Sequence, residues 1–298
     1  LMALIPIDNP PNPWHATEVE YLGEPPKARL EVFVDHSKRI LSRNDSPDIP
    51  FRWSVNPYRG CVHGCAYCYA RPSHEYLGFG AGTDFDRKLV VKPDAPRLLE
   101  QAFRRPNWTG ELVVFSGNTD CYQPLEAHYG LTRACLEVCL RYRNPVGIIT
   151  KAPLIERDVE LLAELAREAF VNVAVSVPFI DPAHARLIEP GVPPPARRLK
   201  TIERLAAAGV PVGVNVSPVI PGLSDSQIAP ILQAARAAGA QWANHILVRL
   251  PGPVAPVFEA RVRQGLPDRA DRIMKRVRDT RGGKVNDPRF GHRMRGAG

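Results

Sequence analysis

The chain has 298 residues, enough for one large α/β domain. Its 44% apolar and 23% charged residues are those of a folded globular protein, and no apolar run is long enough to span a bilayer, which excludes a disordered chain and a membrane-spanning one. The formal charge is +8, and the whole excess lies between Arg261 and Gly298, where 12 Lys/Arg face 4 Asp/Glu.

The opening LMALIPIDNPPNPW starts apolar, lacks a basic lead and meets proline at once. It reads as a vector remnant and an extended arm rather than an export signal, so the expected compartment is the cytoplasm, where thiols stay reduced. Residues 1–50 form an N-terminal arm with one strand in ARLEVFVD (28–35). From Phe51 the pattern changes. Val- and Ile-rich runs at 52–58, 111–117, 145–151, 171–177, 210–220 and 243–250 predict six strands. Amphipathic stretches at 95–105, 131–143, 157–169, 195–209 and 224–239 predict the five helices between them. Ala-Ala-Gly at 207–209 and 237–239 marks a recurring helix-to-strand joint. The strands are continuous apolar runs, so both faces of a parallel sheet are covered. A doubly wound open sheet and a barrel both fit. The fold expected is α/β, a partial (β/α)6 TIM-type barrel over 51–252 with parallel strands, followed by a basic helical extension over 253–298. That extension suits a polyanion such as DNA or RNA, or is a solvated helix with a frayed end.

Chemistry in such sheets sits at the carboxyl ends of the strands. The first of these ends carries CVHGCAYC, with Cys61, Cys65 and Cys68 spaced C-x3-C-x2-C. Structural zinc takes four closed ligands, commonly from two C-x2-C pairs. No second pair exists here, although His63 and His74 are near. Three thiolates in one loop would instead fill three corners of an iron–sulfur cubane and leave one iron open. Gly60 and Gly64 let the loop wrap closely. A zinc- or cluster-binding interaction module without catalysis is the competing class.

The stretch NPYRGCVHGCAYCYAR (56–71) resembles the cluster loop of the radical S-adenosylmethionine (SAM) superfamily, and more narrowly its branch of spore photoproduct lyase and DNA repair photolyase-like relatives. Tyr67 holds that motif's aromatic position. The resemblance implies a 4Fe-4S cluster on Cys61, Cys65 and Cys68, whose open iron chelates SAM. One-electron reduction, from an external flavodoxin- or ferredoxin-type donor, then yields a 5′-deoxyadenosyl radical that abstracts hydrogen from a substrate. It implies nucleic acid as a substrate class, with a small molecule or protein as the alternative; separately, a monomer with no membrane partner is expected.

By position, the resemblance assigns Gly117, Asn118, Thr119 and Asp120 to the cofactor's ammonium, although the acidic residue usual at Asn118 is missing. It assigns Ser176 to ribose or carboxylate, Arg197 or Arg198 to the carboxylate beside Glu189, and Val219, Ile220, Leu247 and Leu250 to the adenine, with core packing as the other reading of each apolar residue. Lys151 would bind the carboxylate or an anionic substrate. Cys121, at the expected barrel mouth beside Tyr122, would be a hydrogen donor, because that branch uses a cysteine near the end of the same strand; a ligand for a second metal and an inert buried thiol are the other readings. Cys135 and Cys139, spaced i, i+4, are expected in the core.

Overall fold

The computed structural model describes residues 29–294 together with 9, 10 and 13. The strands in chain order are β1 (Glu31–Val34), β2 (Leu41–Arg43), β3 (Trp53–Val55), β4 (Tyr58–Arg59), β5 (Lys88–Val91), β6 (Val113–Phe115), β7 (Val146–Thr150), β8 (Val171–Ser176), β9 (Val212–Val219) and β10 (Ala243–Leu247). The helices are α1 (Thr83–Arg87), α2 (Ala95–Phe103), α3 (Glu126–Tyr129), α4 (Leu131–Arg141), α5 (Val159–Glu168), α6 (Pro182–Ile188), α7 (Pro195–Ala207), α8 (Ile228–Ala237), α9 (Val254–Gly265) and α10 (Pro267–Asp279).

The six expected strands become β3, β6, β7, β8, β9 and β10, each parallel to the next. One further strand, β2, adds antiparallel to β3, giving seven in the order β10-β9-β8-β7-β6-β3-β2. The ends of this order do not pair, so the sheet is a part-barrel and not a closed one. Nearly every residue of β7 and β8 is buried, as strands covered on both faces require. Helices supply the cover: α4 buries Cys135, Leu136, Val138 and Cys139, and α5 buries Leu161, Leu162 and Leu165. The repeated joint takes the form its sequence predicts. Gly209 (φ +77°) and Gly239 (φ +92°) leave α7 and α8 in the left-handed conformation, and the next residues bond back to Leu205 O and Ala235 O.

Two expectations for the ends of the chain need correction. The N-terminal arm holds two strands rather than one. β1 joins a separate three-stranded sheet, parallel to β5, which in turn pairs antiparallel with β4. The basic extension is not a frayed helix. α10 turns Ala270, Ile273, Met274 and Val277 inward beside Phe258 and Val262 of α9, and the group packs with Phe179, Ile188, Val248 and Leu250. Each such side chain contributes about 1.5–3 kcal/mol by leaving water. This second core also holds Cys65, Ala66 and Tyr67, so the C-terminal helices form the floor under the thiol loop. The expectations for 1–8, 11, 12, 14–28 and 295–298 lie outside the described residues.

Candidate active site

The thiol loop leaves β4, whose pairing with β5 places Tyr58 opposite Val91 and Arg59 opposite Val90. Gly60 then takes φ +72° with no room for a side chain, since a Cβ there would lie 2.7 Å from Leu89 Cδ2 and 2.9 Å from Phe85 O. Cys61 N donates to Phe85 O at 3.0 Å, Gly64 N to Cys61 O at 3.2 Å and Cys68 N to Cys65 O at 3.2 Å. From the other side, the segment after α6 straps the loop. Ala66 N donates to Ile188 O at 2.9 Å and Gly191 N to His63 O at 3.0 Å. A Cβ on Gly191 would meet Val62 O at 2.2 Å, so only glycine allows this approach.

Arg71 is the residue that sequence reasoning missed. Arginine is ordinarily a surface residue, but this side chain is only 1% exposed. Its Nε and Nη2 donate to Cys65 O at 3.1 and 3.0 Å, and its Nη1 donates to Ala81 O and Gly82 O at 2.9 Å each. Nη2 also pairs with Asp86 at 3.0 Å, and the guanidinium lies 5.1 Å from the Phe85 ring centre. The fork of donors ties the thiol loop to the turn before α1 and satisfies its own burial.

Burial pushes the thiols of Cys61, Cys65 and Cys68 above the ordinary cysteine range. Cys65 and Cys68 raise Cys61 further, while Lys151 opposes the rise at Cys65 and Arg71 opposes it at Cys68. Binding a metal group here therefore releases protons. Each of the two nearby histidines has one ring nitrogen in contact with another group. Nδ1 of His63 lies 3.4 Å from Asp120, and burial holds its pKa down. Nε2 of His74 contacts Lys88 O at 2.7 Å between the rings of Phe79 and Phe85. The donor set is three thiols on one loop, which fits a cubane with one corner left for a ligand.

The Tyr67 hydroxyl donates to Glu189, whose other oxygen accepts from Arg198 Nη2 at 2.7 Å. Arg198 Nη1 donates to Ser176 O at 2.9 Å, so one buried chain of contacts joins the loop to the ends of β8 and α7. Lys151, at the end of β7, lies with its ammonium 5.8 Å from the Tyr67 ring centre. Burial would lower its pKa, but Cys65, Glu189 and Asp120 together raise it, so Lys151 is a firmly charged cation.

In the segment after β6, Gly117 O accepts from Tyr69 Oη at 2.7 Å, Asn118 N donates to Asn56 Oδ1 at 2.8 Å, and Thr119 Oγ1 donates to Tyr58 O at 2.7 Å. Asp120 is used at both oxygens. One accepts from Tyr122 N and Thr150 Oγ1, and the other from Lys151 N and faces His63. It thereby locks the ends of β6 and β7 together around the loop.

Other expected residues sit elsewhere. Cys121, expected at the mouth, is 1% exposed in the main core, with Cys135 and Cys139 of α4 in the same cluster. Tyr122 is fully buried and its hydroxyl donates to Asp158 at 3.1 Å. The turn after β6 directs both inward because Ser116 Oγ accepts from Cys121 N and Cys121 O accepts from Thr132. Arg197 is spent on Glu156, at 2.5 and 2.9 Å, on the outer side of α7. Val219 is in the main core and Ile220 in the second. Leu247 is half-buried, its carbonyl accepting from Arg281, and Leu250 is buried in the second core. Among the described residues no helix is long and apolar enough to cross a membrane.

A family model described as the radical SAM superfamily matches residues 55–235, from β3 into α8. The uncharacterized protein Rv2578c of Mycobacterium tuberculosis is 40% identical over 232 residues, covering 77% of this chain and 68% of that protein. The uncharacterized protein MJ0683 of Methanocaldococcus jannaschii is 25% identical over 198 residues, covering 66% and 71%. In fold, the chain is similar to a spore photoproduct lyase variant with bound AdoMet and dinucleoside spore photoproduct, at a TM-score of 0.58 and 18% identity, over 80% of this chain and 67% of that one. The family match spans the strand that leads into the thiol loop and the parallel strands β6 to β9, and with it this chain belongs to the radical SAM superfamily, enzymes that bind a 4Fe-4S cluster and SAM.

Proposed function

We propose that the protein cleaves SAM reductively and directs the resulting radical onto a nucleic-acid substrate. The observation that carries the first half is the thiol loop: three thiols, two buried and one half-buried, in one loop strapped by Arg71 and Gly191, with Cys121, Cys135 and Cys139 away in the main core. When bound, the cluster supplies the electron that splits SAM into methionine and a 5′-deoxyadenosyl radical. The chain's own residues do the rest. Cys61, Cys65 and Cys68 would hold the cluster. Lys151, charged and without a carboxylate in direct contact among the described residues, would take the SAM carboxylate. Glu189 and Arg198 position Tyr67 and the end of β8. The backbone of Gly117–Thr119, fixed by Asn56 and Tyr58, would present carbonyls to the ammonium. The second core, which holds Cys65, Ala66 and Tyr67, and the small cluster of Cys61, Ala70 and Phe85 shield the loop from water.

The second half rests on charge. α10 buries its apolar face and leaves Arg272, Lys275, Arg276 and Arg278 exposed on the other, with Asp268, Asp271 and Asp279 among them and Arg276 paired with Asp225, a face on which cations outnumber carboxylates and which suits a phosphate backbone. An external one-electron donor is required, and a monomer suffices for every contact described. The test is anaerobic incubation with SAM, dithionite and single-stranded DNA or RNA, followed by mass analysis. Formation of 5′-deoxyadenosine with a mass change in the nucleic acid supports both halves. 5′-Deoxyadenosine without such a change, stimulated instead by a small molecule or protein, retains the first half and rejects the second.

A further inference from the structure

A row of side chains leads outward from the site. Tyr69 directly follows Cys68, is 46% exposed, and is held in place by its hydroxyl on Gly117 O. The Arg249 guanidinium, just past β10, lies 5.3 Å from the Tyr69 ring centre. Arg249 feels the charge of Arg293, whose guanidinium lies 5.0 Å from the Phe290 ring centre. Phe290 is 61% exposed. Arg293 is already neutralised, donating to Asp48 Oδ2 at 2.8 Å and to Ser46 Oγ. Arg249 makes no hydrogen bond or ion pair among the described residues; its contact is the Tyr69 ring. Burial and the like charge of Arg293 both weaken its hold on its proton. A half-buried arginine with no ion pair of its own among the described residues, the carboxylate that it feels (Asp48) being paired with Arg293, and beside an exposed aromatic face, is built to receive an anion that carries a planar group. Bases stacked on aromatic rings with phosphates on arginines are how single strands are bound.

We propose that Arg249 and Tyr69 form a nucleotide subsite for single-stranded nucleic acid, the phosphate on the Arg249 guanidinium and the base stacked on the Tyr69–Arg249 pair, with Phe290 as the platform for a further base. This rests on the nucleic-acid reading above and adds to it the residues that would deliver one nucleotide to the cluster loop.

The test is fluorescence-anisotropy titration of a labelled single-stranded oligodeoxythymidylate with the cluster-loaded full chain, over a series of salt concentrations. Arg249→Gln is expected to weaken binding about tenfold and to reduce the slope of log K against log salt by about one, the mark of a lost phosphate contact. Arg249→Lys keeps the charge and should retain the wild-type slope. Tyr69→Leu is expected to weaken binding about tenfold with the slope unchanged, the mark of lost stacking. Iron content and melting temperature establish that each variant is folded and loaded. Variants that bind like the wild type overturn the subsite while leaving the nucleic-acid reading standing. A wild type that binds no oligonucleotide overturns both. An Arg249→Gln loss that appears instead as weakened SAM binding by calorimetry assigns Arg249 to the cofactor and overturns the proposal.

Discussion

At the scale of single residues, burial decides more than identity. His74 is fully buried, its ring between Phe79 and Phe85 and its Nε2 on Lys88 O, and burial lowers its pKa below the ordinary 6.5. A depressed histidine contributes stability that is fully present above about pH 6.5 and is lost as pH falls through the lower folded value, at up to about 1.4 kcal/mol per pH unit. His74→Gln should therefore flatten the fall in melting temperature between about pH 6.5 and 5, and a melting-temperature profile unchanged by the substitution would reject the assignment. Cys121 shows the converse. Its position after a strand end made it a candidate donor, but the residue alone could not reveal that the following turn points inward, because that depends on Ser116 and Thr132 capturing its backbone. Cys121→Ala is expected to lower stability by about 1 kcal/mol, from a small cavity in the main core, and to leave the 5′-deoxyadenosine yield at the wild-type level in a chromatographic assay.

At the scale of elements, the main parallel strands were legible because each lies within a longer Val- and Ile-rich run, although β10 is exposed over Ala243–His245, where cover on both faces was expected. β2 and β5 were not, since three or four residues carry too little pattern to separate a strand from a loop. The Arg71 clamp was equally hidden. Its partners Ala81, Gly82 and Asp86 are distant in sequence, and nothing about an arginine after a cysteine loop signals burial. Arg71→Met leaves Asp86 without its partner and removes the donors on Cys65 O, so it should cost about 3–5 kcal/mol. Adding Asp86→Asn should recover part of that loss in thermal melts; no recovery would mean that the ion pair is not what holds the loop. Gly191→Ala, whose Cβ would strike Val62 O, should displace the strap and reduce iron bound per chain, measured by metal analysis.

At the scale of the whole molecule, the thiol loop belongs to the second of two cores. The main core lies between the sheet and its helices, and the second joins α9 and α10 to the loop itself. The tail then crosses from the β10 edge, where Arg281 donates to Val248 O and Leu247 O, to the segment after β2, where Gly291 N and Arg293 donate to Asp48. Composition revealed that the charge lies in this region, but not that one face of α10 is core, because its apolar spacing is masked by a mean hydropathy dominated by arginine. The central claim is that the three thiols form an open-cornered cluster site that activates SAM. It is tested most directly by anaerobic reconstitution of the full chain with iron and sulfide, followed by metal analysis and 5′-deoxyadenosine assay with dithionite, for the wild type and the Cys61, Cys65 and Cys68 triple Ala variant. The account predicts about four irons per wild-type chain with 5′-deoxyadenosine formed, and neither in the variant. A wild type that holds a single zinc and makes no 5′-deoxyadenosine, or a triple variant that still makes it, would contradict the account.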